Sequence, residues 1–98
     1  MKMLNLKHIC SPSGESIGVI ATVEGDEGAS YLVRMYRWKF KANNHPGENK
    51  LAWSCDCGDF YFRKFNELPG SKESRCKHMD FVIANKDNFT DIVIYDLI

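Results

Sequence analysis

Four residues constrain this chain more than any others. Cys55 and Cys57 stand two apart, Cys76 and His78 stand two apart, and eighteen residues separate the pairs. Three thiols and one imidazole, in the order C-x-C, spacer, C-x-H, match the ligand set of a closed tetrahedral zinc site. On an extended strand residues i and i+2 point to the same side, so Cys55 and Cys57 can grip one ion from one face. Gly58 follows and lets the chain turn sharply away from the metal. The second pair opens an apolar stretch, Met79 to Ala84, whose Met79, Val82 and Ile83 share a face at helical spacing and predict a short helix. A ligand in the first turn of that helix and one just before it can converge on the ion. The partial positive charge at the helix N-terminus favours a thiolate at Cys76. Disulfides are the competing use of these thiols. A bridge within Cys55-Asp56-Cys57 would close a very small, strained ring, and nothing in the sequence suggests a secretory context.

The pattern Cys55-Asp-Cys57-Gly-Asp-Phe60 followed by Cys76-Lys-His78-Met79 resembles the SWIM zinc finger family. That family shows a short hairpin bearing C-x-C, then a helix opened by C-x-H with an apolar residue next. It occurs in chromatin-remodelling ATPases, mutator-type transposases and recombination accessory proteins. The resemblance implies a structural Zn2+ held by Cys55, Cys57, Cys76 and His78, and a role in DNA or protein contact. It covers roughly Leu51 to Ala84, about a third of the chain, and no catalytic domain accompanies it here.

At 98 residues the chain is expected to form one domain, residues 1–98, with a modest core that a metal staple would reinforce. Residues 1–10 lack the continuous apolar run of a signal peptide, and nothing approaches a membrane span. The expectation is therefore an intracellular, reducing compartment, cytoplasmic or nuclear (or nucleoid), with no membrane partner.

Strand patterns fill the first half. Met3 to Ile9 alternates weakly, and Cys10-Ser-Pro12-Ser-Gly14 is a turn by composition. Cys10 is a fifth ligand, a redox thiol or, more simply, a small packed side chain. His8 lies on a strand, where it either faces the site or is satisfied at the sheet margin. Ser16 to Val23 places Ile17, Val19, Ala21 and Val23 on one face. Glu24 to Gly28 is a hairpin loop. Tyr31 to Lys41 follows, with Tyr36, Trp38 and Phe40 against Arg37, Lys39 and Lys41. Residues 1–41 thus predict a three-stranded antiparallel meander.

Asn43 to Asn49 is a loop in which His45 faces water. Lys50 to Cys55 is a strand leading to the metal, and Asp59 to Phe65 its returning partner in a hairpin. Ser74 is a candidate N-cap for the helix, and Asp91 to Leu97 a closing strand. The expected fold is α+β: an antiparallel sheet with a zinc-stapled β-hairpin and one short helix, the ββα finger occupying residues 51–84 and the closing strand residues 91–97.

The formal net charge is zero, yet residues 31–78 carry ten Lys or Arg against five acids. Three thiolates and a neutral imidazole around a divalent cation leave about one negative charge, which accounts for one or two of these cations. Arg63, Lys64, Lys72, Arg75 and Lys77 remain as candidate phosphate contacts beside the finger, with Arg37, Lys39 and Lys41 as a possible extension and Tyr61 as a candidate stacking platform for an unpaired base. The leading expectation is a non-catalytic zinc-binding module that contacts nucleic acid. The alternative is a protein–protein interaction adaptor that uses the finger as a rigid platform. No deaminase signature, nucleophile–base pair or phosphate loop argues for an enzyme, and a zinc hydrolase would need a coordination position left open for water.

Overall fold

Alternation of apolar residues builds the sheet. The structure, a computed structural model, describes residues 1–40 and 48–94; the side chains of residues 38–40 and 48–50 also fall outside that description. Its strands are β1 (Lys2–Cys10), β2 (Ser16–Glu24), β3 (Ser30–Phe40), β4 (Glu48–Cys55) and β5 (Ile92–Ile94), in the order β4-β3-β2-β1-β5. β1, β2 and β3 form the expected antiparallel meander, and β4 extends it by pairing antiparallel with β3. Register lines up one buried face. Leu6 faces Ala21, Ala21 faces Val33 and Val33 faces Cys55, while Val19, Met35 and Trp53 form the next row. Because directly opposed residues share a face, the first cysteine lies on the core side of the sheet.

The helix α1 (Lys77–Asn85) packs across that face against β2 and β3. Met79 and Val82 are fully buried, and Ile83 is partly buried against the same core. A 3-10 turn, Lys86–Asn88, continues α1 toward the far edge of the sheet. His8 secures the arrival. Its Nε2 lies 3.0 Å from the Lys86 carbonyl and 2.9 Å from the Phe89 carbonyl. Both partners are acceptors, so this nitrogen carries the proton and donates to them. His8 is thus a satisfied histidine at the sheet margin. Cys10 is buried at the end of β1.

Several expectations require correction. The chain reaches β5 by crossing the sheet face, so β5 runs parallel to β1 and the sheet is mixed. Asp59 to Phe65 is not a returning strand. Phe60–Lys64 is a π-helical turn, and both Asp59 and Phe65 beside it have helical backbone angles. The amides of Phe60 and Tyr61 bond back to Cys57, to its Sγ at 3.4 Å and its carbonyl at 3.3 Å, and so curl the chain instead of extending it. The ββα hairpin is therefore replaced by strand, helical turn and helix. Ser74 is not the N-cap of α1. It lies in a 3-10 turn, Lys72–Ser74, and donates to the Ser71 carbonyl at 2.6 Å, while Cys76 occupies the cap. Lys41, His45 and the last part of the closing strand, residues 95–97, lie outside the described residues, as do the side chains of Trp38, Lys39 and Phe40. No helix among the described residues is long and apolar enough to cross a membrane.

Gly18 shows how closely the meander is packed. Its φ is +143°, and a Cβ there would overlap the Met35 carbonyl oxygen and the Tyr36 Cα on β3. Backbone cannot yield as a side chain tip can. Gly18→Ala should therefore destabilise the fold by about 3 kcal/mol or more, read as a lowered urea midpoint with an unchanged m-value.

Candidate metal centre

The residue between the first two cysteines sets their geometry. The Asp56 amide donates to the Leu32 carbonyl at 3.2 Å, and its carboxylate accepts from the Leu32 amide at 3.3 Å. β4 thus ends fastened to β3, with Cys55 inward. The chain then curls, and Cys57 is carried into the same buried space. Cys76 enters from the other side with extended angles, φ −86° and ψ 172°, as the residue that opens α1. His78 follows in the first turn.

The four residues meet. One ligand atom from each of Cys55, Cys57, Cys76 and His78 lies within 4.8 Å of the other three, and all four residues are buried. The imidazole presents Nδ1 to the sulfurs, 3.8 Å from Cys55 Sγ and 4.0 Å from Cys76 Sγ. Bond lengths of about 2.3 Å to sulfur and about 2.0 Å to nitrogen give sulfur–nitrogen edges of about 3.6 Å in a tetrahedron. The cluster fits a metal ion with a small inward adjustment. All four cysteines are free thiols, and Cys10 takes no part in the group.

Three sulfurs this close cannot all carry charge in an apolar surround without a cation. Cys76 is held down, to about 5, chiefly because the Cys55 thiol donates to it; the Met79 amide at the start of α1 adds to the effect. Cys55 is pushed strongly upward by that same donation and by burial. Burial pushes Cys57 up as well, with the Phe60 amide acting against it. Of the three, Cys76 therefore gives up its proton most readily and Cys55 and Cys57 resist ionisation while no cation is present.

The cations do not all gather here. Arg63 pairs with Asp59 at 3.6 Å, and Arg75 with Asp80 at 3.3 Å. The turns carrying Arg63, Lys64 and Lys72 touch each other, while Arg75 and Lys77 flank Cys76. Arg37 lies four residues along β3 from Val33, away from Cys55, and pairs with Glu15 on the next strand's approach. At about 3.3 Å per residue that is roughly 13 Å from the metal end of the sheet. It does not extend a rim at the site. Two neighbours of the site escape a reading of the sequence. Asp56 fastens the C-x-C turn, and the Tyr31 ring lies against His78 with centroids 4.4 Å apart. The hairpin signal at Gly25 and Gly28 places Tyr31 opposite Val23, but only the packing of α1 on β3 brings it against His78.

Comparison of the chain with protein-family models, with curated proteins and with solved structures gives no match. The donor set and its geometry carry the functional argument.

The protonation pattern has a measurable consequence. Metal ligation requires thiolates, and Cys76 is one already above its lowered value of about 5. Loading the reduced, metal-free protein with a divalent metal at pH 7 should release about two protons per chain, from Cys55 and Cys57. Apparent log affinity should climb by about two for each pH unit around neutrality. Proton release in weakly buffered solution checks this; a value near three would mean that Cys76 is protonated before the metal arrives.

Proposed function

We propose that this chain is a non-catalytic zinc-binding module whose metal fixes a helical segment for contact with another protein. The observation that carries the metal is the convergence of three buried thiols and one buried imidazole nitrogen within 4.8 Å. Thiolate-rich tetrahedral sets with one imidazole favour zinc among the common divalent metals. Four protein donors complete the shell, which supports a structural role over a catalytic one. The SWIM-like ligand order, with C-x-H opening a helix, agrees with this. The helical turn after Cys57 departs from that family's hairpin.

The nature of the surface supports the adaptor reading over nucleic acid. Tyr61, Phe62 and Phe65 are 55%, 90% and 63% exposed, and Leu68, three residues further along the chain, is 75% exposed. With aromatic side chains of about 150–250 Å² each, the three rings offer roughly 400 Å² to solvent, the scale of a functional apolar patch. Phe60 roots them in the core, with edge contacts to Tyr61 at 6.1 Å and to Phe65 at 6.4 Å. Phosphate binding, by contrast, would draw on Arg63 and Arg75, which already face acids of their own segment.

Elemental analysis of reduced, purified protein should find one zinc per chain. Cys55→Ser, Cys57→Ser and Cys76→Ser should each lose most of it, with disordering of Cys57 to Cys76 in hydrogen exchange. Absence of stoichiometric metal in the wild type defeats the proposal.

For the partner, low-salt titration of the zinc-loaded protein with single- and double-stranded oligonucleotides should show no salt-dependent binding. Linear log–log salt dependence, weakened in Arg63→Ala/Lys64→Ala/Arg75→Ala, would restore the nucleic-acid reading.

A further inference from the structure

The imidazole of His78 has two faces to account for. Nδ1 points to the sulfurs, while Nε2 is buried with no hydrogen-bond partner. Histidines that hold metals ordinarily donate the second nitrogen to a carbonyl, carboxylate or water, which fixes the ring's rotation. Here packing stands in that place. The Tyr31 ring lies over the imidazole at 4.4 Å, tilted by 34°. Tyr31 is held in turn by β3, two residues from the Val33 that opposes Cys55. The loop beneath it is tightly bonded, with the Gly25 amide on the Ala29 carbonyl at 2.8 Å and the Gly28 amide on the Gly25 carbonyl at 3.0 Å. A Cβ on Gly25 would sit 3.0 Å from Tyr31 Cε2 and 3.7 Å from His78 Nε2. A side chain at Gly25 therefore presses on the tyrosine ring, while it reaches the imidazole only at ordinary contact distance.

We propose that Tyr31 and Gly25 are positioning residues for the metal centre. Tyr31 holds the His78 ring so that Nδ1, not Nε2, faces the three thiols, and the bare Cα of Gly25 leaves the tyrosine room to do so. Neither residue touches the ion. Both act through His78, the fourth candidate ligand and the one whose second nitrogen no hydrogen bond secures. The inference rests on the zinc reading above.

The test uses Co2+ and Zn2+ with the full chain. Zinc affinity is measured by competition with a chromogenic chelator. The visible bands of the Co2+ form report the ligand set and its symmetry. Tyr31→Ala should weaken zinc by about 10- to 100-fold, the usual effect of losing an orienting partner, and shift the Co2+ bands toward those of His78→Ala. Tyr31→Phe, which keeps the ring, should stay within about twofold of wild type if the ring face is what matters. Gly25→Ala should fall between them, and because it removes no core side chain it decides the matter if Tyr31→Ala loses its fold. In the metal-free wild type, cross-relaxation between the Tyr31 and His78 rings should be visible by NMR. Wild-type affinity and unchanged Co2+ bands in Gly25→Ala, together with the same result in any folded Tyr31→Ala, overturn the positioning role alone. A wild type that binds neither metal overturns the zinc reading and this inference with it.

Discussion

Three sulfurs and an imidazole packed together inside an apolar core create a charge problem that the fold must solve. Cys55, Cys76 and His78 are almost wholly buried, and the cysteines belong to the same contiguous cluster as Val33, Met79 and Val82. Without metal, protons relieve it: donation from the Cys55 thiol favours charge at Cys76, and burial disfavours it on the other two sulfurs. With metal, the cation replaces those protons and the thiolates gain a partner. Either way the centre is part of the core. It is not an appendage clipped to a finished sheet: its cysteines share one cluster with the residues through which α1 packs on β2 and β3.

The arrangement also explains why both halves of the ligand set lie where chain direction changes. Cys57 precedes one helical turn and Cys76 caps another helix. At such positions backbone amides point outward without partners, and they favour negative charge on a nearby sulfur. The Phe60 amide does this for Cys57 at 3.4 Å. A returning strand would have spent the same amide on a ladder bond. The curl after Cys57 therefore serves the electrostatics of the site, and the exposure of Tyr61, Phe62 and Phe65 follows from it: a single short turn roots Phe60 and leaves the other rings outside.

Much of this was legible in the residues, for definite reasons. Val19, Ala21 and Val23 alternate because one face of β2 is buried, and Met79 and Val82 repeat at helical spacing because α1 has one apolar stripe. The ligand quartet was visible because its chemistry is rare and its spacing short. Other features were not local. Phe60-Tyr-Phe62-Arg alternates like a strand, yet the bonds back to Cys57 decide its shape. The parallel course of β5 depends on which edge the crossover reaches, and three exposed residues, Ile92 to Ile94, cannot announce it. The pairing of Tyr31 with His78 needs the packing of α1 on β3, between residues that sequence places far apart. The ion pairs of Arg63 and Arg75 lie within helical reach, but only once those segments are known to be helical or turned does an acid four or five positions away become a partner.

The segment between the two ligand pairs shows what a metal at this centre would be worth to the fold. From Gly58 to Arg75 only Phe60 and Ser74 are buried among eighteen residues. Two buried side chains cannot offset the entropy of ordering so long a segment, at about 1–2 kcal/mol per residue for the backbone alone. Its turns help locally: Ser71 donates to the Leu68 carbonyl and Ser74 to the Ser71 carbonyl, each at 2.6 Å. None of these bonds ties the segment to the sheet. Ligation of a metal at Cys57 and Cys76 would. Because the site is not preformed in the unfolded chain, the free energy of binding a metal there would enter directly as stability of this segment. A metal held by the four donors would thus stabilise by binding the folded segment, not by cross-linking the unfolded chain, and would couple the order of the aromatic surface to the occupancy of the centre.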